Sequence, residues 1–262
     1  WQHYQWAELL WKSVREFKLP FWTPLIHCGF PIAAESQIGV FYPINLLLYF
    51  LLPLQWAHSY MTLFHFLLAG GATYFYVRQI GLKALGSFIA AFLFLFGAAY
   101  GGAFYNITSL KTIAWFPLGL FLFEKVYQEW KWRYLVCLSC VFAMTLVAGY
   151  MQFGILCLFM FLIYTFLRVV IFPDPEKKGF TFWLRIGSGL ALSFLFTVLF
   201  ALPQIWLTYQ LAMLSNRVGV VEEYAYVGSM FPGAIATLFF PHWYGLFRGN
   251  SLYMGIFSIF LV

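Results

Sequence analysis

LRIGSGLALSFLFTVLFALPQIWLT, residues 184–208, carries a single charge, Arg185, in 25 positions. A run of this length and apolarity reads as a helix crossing a bilayer, because about 20 residues at 1.5 Å each span the hydrocarbon core. Working outward, similar runs occur at about 57–77, 84–104, 110–124, 134–150 and 152–171, and another starts near 251. Apolar residues make up 63% of the chain and charged residues 9%, where soluble domains are about a quarter charged. The expected fold is therefore all-α, a polytopic transmembrane bundle. The formal charge of +6 is spread between the spans rather than clustered, so no nucleic-acid partner is expected.

Sidedness follows from the short loops. Arg78 and Lys83, then Lys125, Lys131 and Arg133, then Arg168, Lys177, Lys178 and Arg185 fall in alternate connections. The other short connections hold only Lys111. By the positive-inside rule the basic loops face the cytoplasm. Residues 1–56 and the loop at 209–250 then share the outer face, separated by six spans over 57–208, and 251–262 begins a seventh.

Between a first helix and the first span lies LPFWTPLIHCGFPIAAESQIGVFYP, residues 19–43. Prolines at 20, 24, 31 and 43 and glycines at 29 and 39 keep it irregular. Irregular backbone is not tolerated against lipid, so the segment must lie at the surface, in protein or along a wet cavity. Residues 1–18 read as an amphipathic interfacial helix with His3, Ala7, Leu10, Val14 and Phe17 on one stripe and a Glu8–Lys12 pair away from it. Ile44–Leu52 reads as a short interfacial or re-entrant helix with Pro43 in its first turn.

The cysteines imply no disulfide framework. Cys137-x-x-Cys140 lies in an apolar run and is expected to pack in the core. Outer-face acids are Glu8, Glu16, Glu35, Glu222 and Glu223; outer-face bases are Lys12, Arg15, Lys18, Lys111, Arg217 and Arg248. His58 and His65 share one helix face, and polar groups at membrane depth point to function. Asn106-Ile107-Thr108 matches a glycosylation sequon by chance. No metal-cage spacing is present, so no metal ligand is assigned.

Trp1-Gln2-His3-Tyr4, Leu19-Pro20-Phe21-Trp22-Thr23-Pro24, Gly29-Phe30-Pro31 and Gln37-x-Gly39-x-Phe41-Tyr42-Pro43 occur in this order. Ala114-Trp115-Phe116-Pro117, Gly149-Tyr150-Met151-Gln152 and Ser215-x-Arg217 follow. The series resembles the YfhO-like family of bacterial membrane proteins, which is similar to the GT-C class of glycosyltransferases. The resemblance implies a GT-C-like bundle in the bacterial cytoplasmic (inner) membrane, with an extracytoplasmic amphipathic helix and a long irregular outer loop. It also implies sugar transfer from a polyprenyl-phosphate-linked donor to an envelope glycopolymer or lipid acceptor, with a divalent metal ion used by some members. The family's catalytic Asp precedes the residue aligned with Gln2. Here that position lies upstream of Trp1, so the chain reads as a piece of a longer protein, lacking an N-terminal helix and the C-terminal part, and inactive alone. The only Asp, Asp174, sits in the basic inner loop.

Glu35 is the remaining acid of the loop, either a weak catalytic candidate or the N-terminal charge of a short helix. The substrate-binding candidates are Gln2, His3, Tyr4, Trp22, His27, Gln37, Tyr42, Gln152, Arg217, Glu222 and His242. Of these Arg217 offers a planar fork to a phosphate, and His242 beside Trp243-Tyr244 offers a sugar-stacking corner or an interfacial anchor. The alternatives are a transporter or flippase for a lipid-linked substrate, which needs alternating access, and a non-catalytic scaffold for envelope assembly.

Overall fold

The computed structural model describes residues 2–26, 28–97, 100, 106–174, 176 and 179–215. His27, Arg217, Glu222 and His242, the loop beyond 215 and the seventh apolar run lie outside the described residues, as does the side chain of Gln2.

Nine helices of seven residues or more occur among the described residues. They are α1 (Gln2–Arg15), α2 (Pro43–Leu51), α3 (Leu54–Gln79), α4 (Ala84–Phe96), α5 (Ile107–Ile113), α6 (Phe116–Glu129), α7 (Trp132–Val147), α8 (Met151–Phe166) and α9 (Phe180–Met213). Strand pairing among them is limited to one isolated bridge, Thr23 with Phe30. Among the described residues, three helical stretches are long and apolar enough to cross a membrane: 107–129, 151–171 and 180–213. The protein is thus an all-helical membrane protein. Leu195 and Phe200 on α9 and Phe159 on α8 are exposed, as lipid-facing side chains must be.

The helix ends differ from the apolar runs. The run expected at 110–124 is a 23-residue stretch over 107–129, turning at Ala114-Trp115 where α5 passes into α6. The last span extends to Phe180–Met213, well beyond 184–208, because residues flanking the apolar run continue the same hydrogen-bonded ladder. Cys137 is exposed and not in the core: apolar sequence cannot separate a lipid-facing side chain from a packed one.

Of the four hydrophobic clusters among the described residues, two are the largest. Leu120, Phe123 and Val126 of α6 pack with Leu138 and Phe142 of α7, Phe161 of α8 and Ile186 of α9. The second lies at one end, where Trp6, Ala7 and Leu10 of α1 meet Ile32, Ile38 and Val40, Tyr49 of α2 and Ala57 of α3. α1 and the 19–43 segment therefore form a packed cap on that end of the bundle. Its buried stripe recruits Trp6 and omits Phe17, which lies past the helix end, 84% exposed and at φ 55°. Glu8 and Lys12 pair at 2.7 Å on the solvent side.

The irregular segment is held by bonds that its own sequence supplies. Thr23 and Phe30 exchange backbone hydrogen bonds of 2.9 and 2.8 Å around a turn, and short 3₁₀ turns follow at Ile32–Ala34 and Ser36–Ile38. α9 reaches up to it: Gln204 Nε2 donates to the Ala33 carbonyl at 3.2 Å and Thr208 Oγ1 to that of Ala34 at 2.8 Å. These bonds satisfy the buried carbonyls of a segment with no regular ladder.

Candidate functional site

The turn Gln37–Pro43 builds the floor of a cleft. Gly39 takes a left-handed φ of 67°, and a Cβ there would lie 2.6 Å from Asn45 Nδ2. Both the angle and the approach require glycine. Gly39→Ala is expected to lower stability by about 1–3 kcal/mol through backbone strain and displacement of Asn45. Thermal unfolding in detergent measures this; a change within experimental error would show that the turn relaxes freely.

Tyr42 locks the end of this turn into the bundle. Its ring is fully buried, and burial holds the phenol well above its ordinary range, so it stays a hydroxyl. His65 Nδ1 lies 2.6 Å from the Met61 carbonyl, which can only accept, so this nitrogen carries the proton. Nε2 is then the acceptor for the Tyr42 hydroxyl at 2.6 Å, and Tyr42 in turn accepts from Trp115 Nε1 at 2.9 Å. The Gln37–Pro43 and Ala114–Pro117 motifs thus meet in one hydrogen bond. Gly149, from the third motif, lies where a Cβ would be 3.2 Å from the Gln37 carbonyl.

Above this lock is a small cleft lined by His3, Trp6, Gln37, His58, Thr108 and Lys111 among others. Lys111 is 3% exposed. Its ammonium donates to Asn45 Oδ1 at 3.2 Å and lies 5.6 Å from the centre of the Tyr42 ring. Among the described residues no carboxylate lies within ion-pair distance of it. An ammonium has three donors, and one is used. His3 Nδ1 and His58 Nδ1 are buried with no partner. Burial, then the Lys111 charge, hold the His3 imidazole below its ordinary value, so His3 is neutral near pH 7.

Of the expected site residues, His3 and Gln37 line the cleft and Tyr42 sits behind Lys111. Tyr4 is exposed, its ring 6.5 Å from that of His58. Trp22, 62% exposed, and Gln152 lie on the surface and do not line the cleft. Glu35 accepts from its own Gln37 N–H at 3.2 Å as the cap of a 3₁₀ turn, the helix-end role. Asn106 caps α5 through Thr108, giving the sequon residues a structural use. Asn45, Trp6 and Tyr49 were not anticipated; the one available signal was a lone amide in the apolar run of α2.

The donor set suits an anion. The Lys111 amine beside two imidazoles, with no acidic residue among the described lining groups, offers a divalent cation no anionic ligand. No three His, Cys, Asp or Glu side chains converge as metal ligands among the described residues. No protein-family model, curated protein or solved structure matches the chain.

Proposed function

We propose that the chain is the donor-binding part of a GT-C-type, YfhO-like membrane glycosyltransferase, and that its capped end faces the outside of a bacterial inner membrane. The reaction moves a sugar from a polyprenyl-phosphate donor to an envelope glycopolymer or lipid. The observation that carries this reading is Lys111, a buried amine with no carboxylate partner among the described residues, set in a cleft beside two unpartnered imidazole nitrogens. The basic loops at the opposite end support the orientation.

In the reaction an acceptor hydroxyl attacks the anomeric carbon, and the bond from that carbon to the phosphate oxygen breaks. The electron pair leaves with the phosphate, where negative charge grows. A fixed cation facing that oxygen in a water-poor cleft lowers the barrier most where the charge develops. A phosphate bound beside Lys111 favours its protonated form, so Lys111 fills this role, and His3 and His58 supply hydrogen bonds to the remaining oxygens. The acceptor proton goes to a carboxylate. By the resemblance, that group is an Asp. No step is routed through a metal, which this donor set does not fit.

The test is transfer from a radiolabelled polyprenyl-phosphate sugar by the intact protein in lipid nanodiscs. Sugar-bearing acceptor and free polyprenyl phosphate should appear in equal amounts. Donor crossing the bilayer with its sugar still attached would instead support a flippase, and donor left intact on both sides a scaffold.

A further inference from the structure

We propose that Asn45 is the positioning residue of this cleft: it aims the Lys111 ammonium while leaving its charge uncompensated for a phosphate. The inference rests on the anion reading of the cleft.

Asn45 is completely buried. Its Nδ2 donates to the Ile38 carbonyl at 3.0 Å and the Gly39 carbonyl at 2.9 Å. Two carbonyl acceptors demand the NH₂ group, so the orientation of the amide is settled by its partners. Oδ1 is therefore turned to Lys111, 66 residues away in sequence. One side chain joins the 38–39 turn, α2 and α5, and each of its bonds depends on its being an amide.

Aspartate has the same shape but the opposite consequence. It would set one oxygen against the two carbonyls and hold the other 3 Å or so from the ammonium, about hydrogen-bond distance. The ion pair would cancel the local charge that a phosphate needs. A shorter apolar residue would leave Lys111 without a guide. Only a neutral acceptor both directs the ammonium and leaves it electrostatically available. The same link makes anion affinity depend on docking of the 19–43 segment, because the carbonyls that orient Asn45 belong to it.

The experiment compares wild-type protein, Asn45→Asp, Asn45→Ser and Asn45→Ala, each intact in nanodiscs, by thermal unfolding against rising inorganic phosphate and pyrophosphate. Ligand binding to the folded state raises the transition temperature with concentration. Wild type should respond, and Asn45→Asp should bind phosphate at least about tenfold more weakly, whatever its unfolding temperature without ligand. Asn45→Ser, which keeps a neutral acceptor, should bind more tightly than Asn45→Ala. A responsive wild type with Asn45→Asp responding within about twofold overturns the role of Asn45 alone. A wild type indifferent to both anions overturns the anion cleft, and with it the proposed function. If Asn45→Asp does not fold, the Ser and Ala variants decide: equal affinities reject the inference.

Discussion

Lys111→Met is expected to abolish sugar transfer while leaving the protein as stable as before, or more so. Lys111 is 3% exposed and its one hydrogen-bond acceptor is a neutral amide. Burying an amine without a carboxylate partner opposes folding. Methionine has similar length and no such penalty, so the unfolding temperature should hold or rise. The same change removes the cation facing the departing phosphate, and losing one preorganised electrostatic contact costs about 10²–10³-fold in turnover. Activity and stability moving in opposite directions mark a residue kept for function. The paired measurement is labelled-donor turnover and thermal unfolding on one preparation. Turnover within about threefold of wild type would remove Lys111 from the reaction, since that loss is far below one such contact.

The second large effect lies at the opposite end of the bundle. Glu124 of α6 is fully buried, and its Oε1 accepts from Tyr164 at 2.6 Å and from Arg168 Nε at 3.1 Å. Arg168 also pairs with Asp174 at 3.0 Å and lies over the Tyr127 ring, 4.3 Å from its centre. Arg168→Met leaves the Glu124 carboxylate buried without its cation. Such a break costs about 3–5 kcal/mol in a closed site, and the 21% exposure of the arginine side chain brings the expected loss to about 2–4 kcal/mol. The double variant Arg168→Met with Glu124→Leu should recover at least half of it, because no unpaired charge remains. Denaturation in detergent measures both. A single variant within about 0.5 kcal/mol of wild type would mean that Glu124 is served by other groups. Neither variant should change phosphate binding at the far end.

Some of this was legible in the residues and some was not. The loop 19–43 stood out because prolines and glycines broke the apolar pattern, and the structure packs it as a cap. The short motifs pointed at their own neighbourhoods: Gly39 because a left-handed turn needs it, Pro43 because it opens α2, Trp115 because its indole finds Tyr42. His58 and Lys111 could be noticed as polar groups in apolar helices, but only singly. Glu35 looked like the loop's acid and is a turn cap, since a local N–H satisfies it. Asp174 and Arg168 read as loop charges; nothing in their spacing pointed to Glu124, 44 residues before Arg168.

By itself the sequence determined the solvent of this protein and the coarse arrangement of its helices. Transfer from water to lipid acts on each residue separately and sums along a run, so composition and hydropathy suffice to read it. The tertiary structure alone decided which polar groups meet. His3, Asn45, His58 and Lys111 lie on four different helices, and their convergence depends on how α1, α2, α3 and α5 pack together. That packing is set by side-chain shape and by the partners demanded of each buried N–H and C=O, neither of which leaves a period in the sequence.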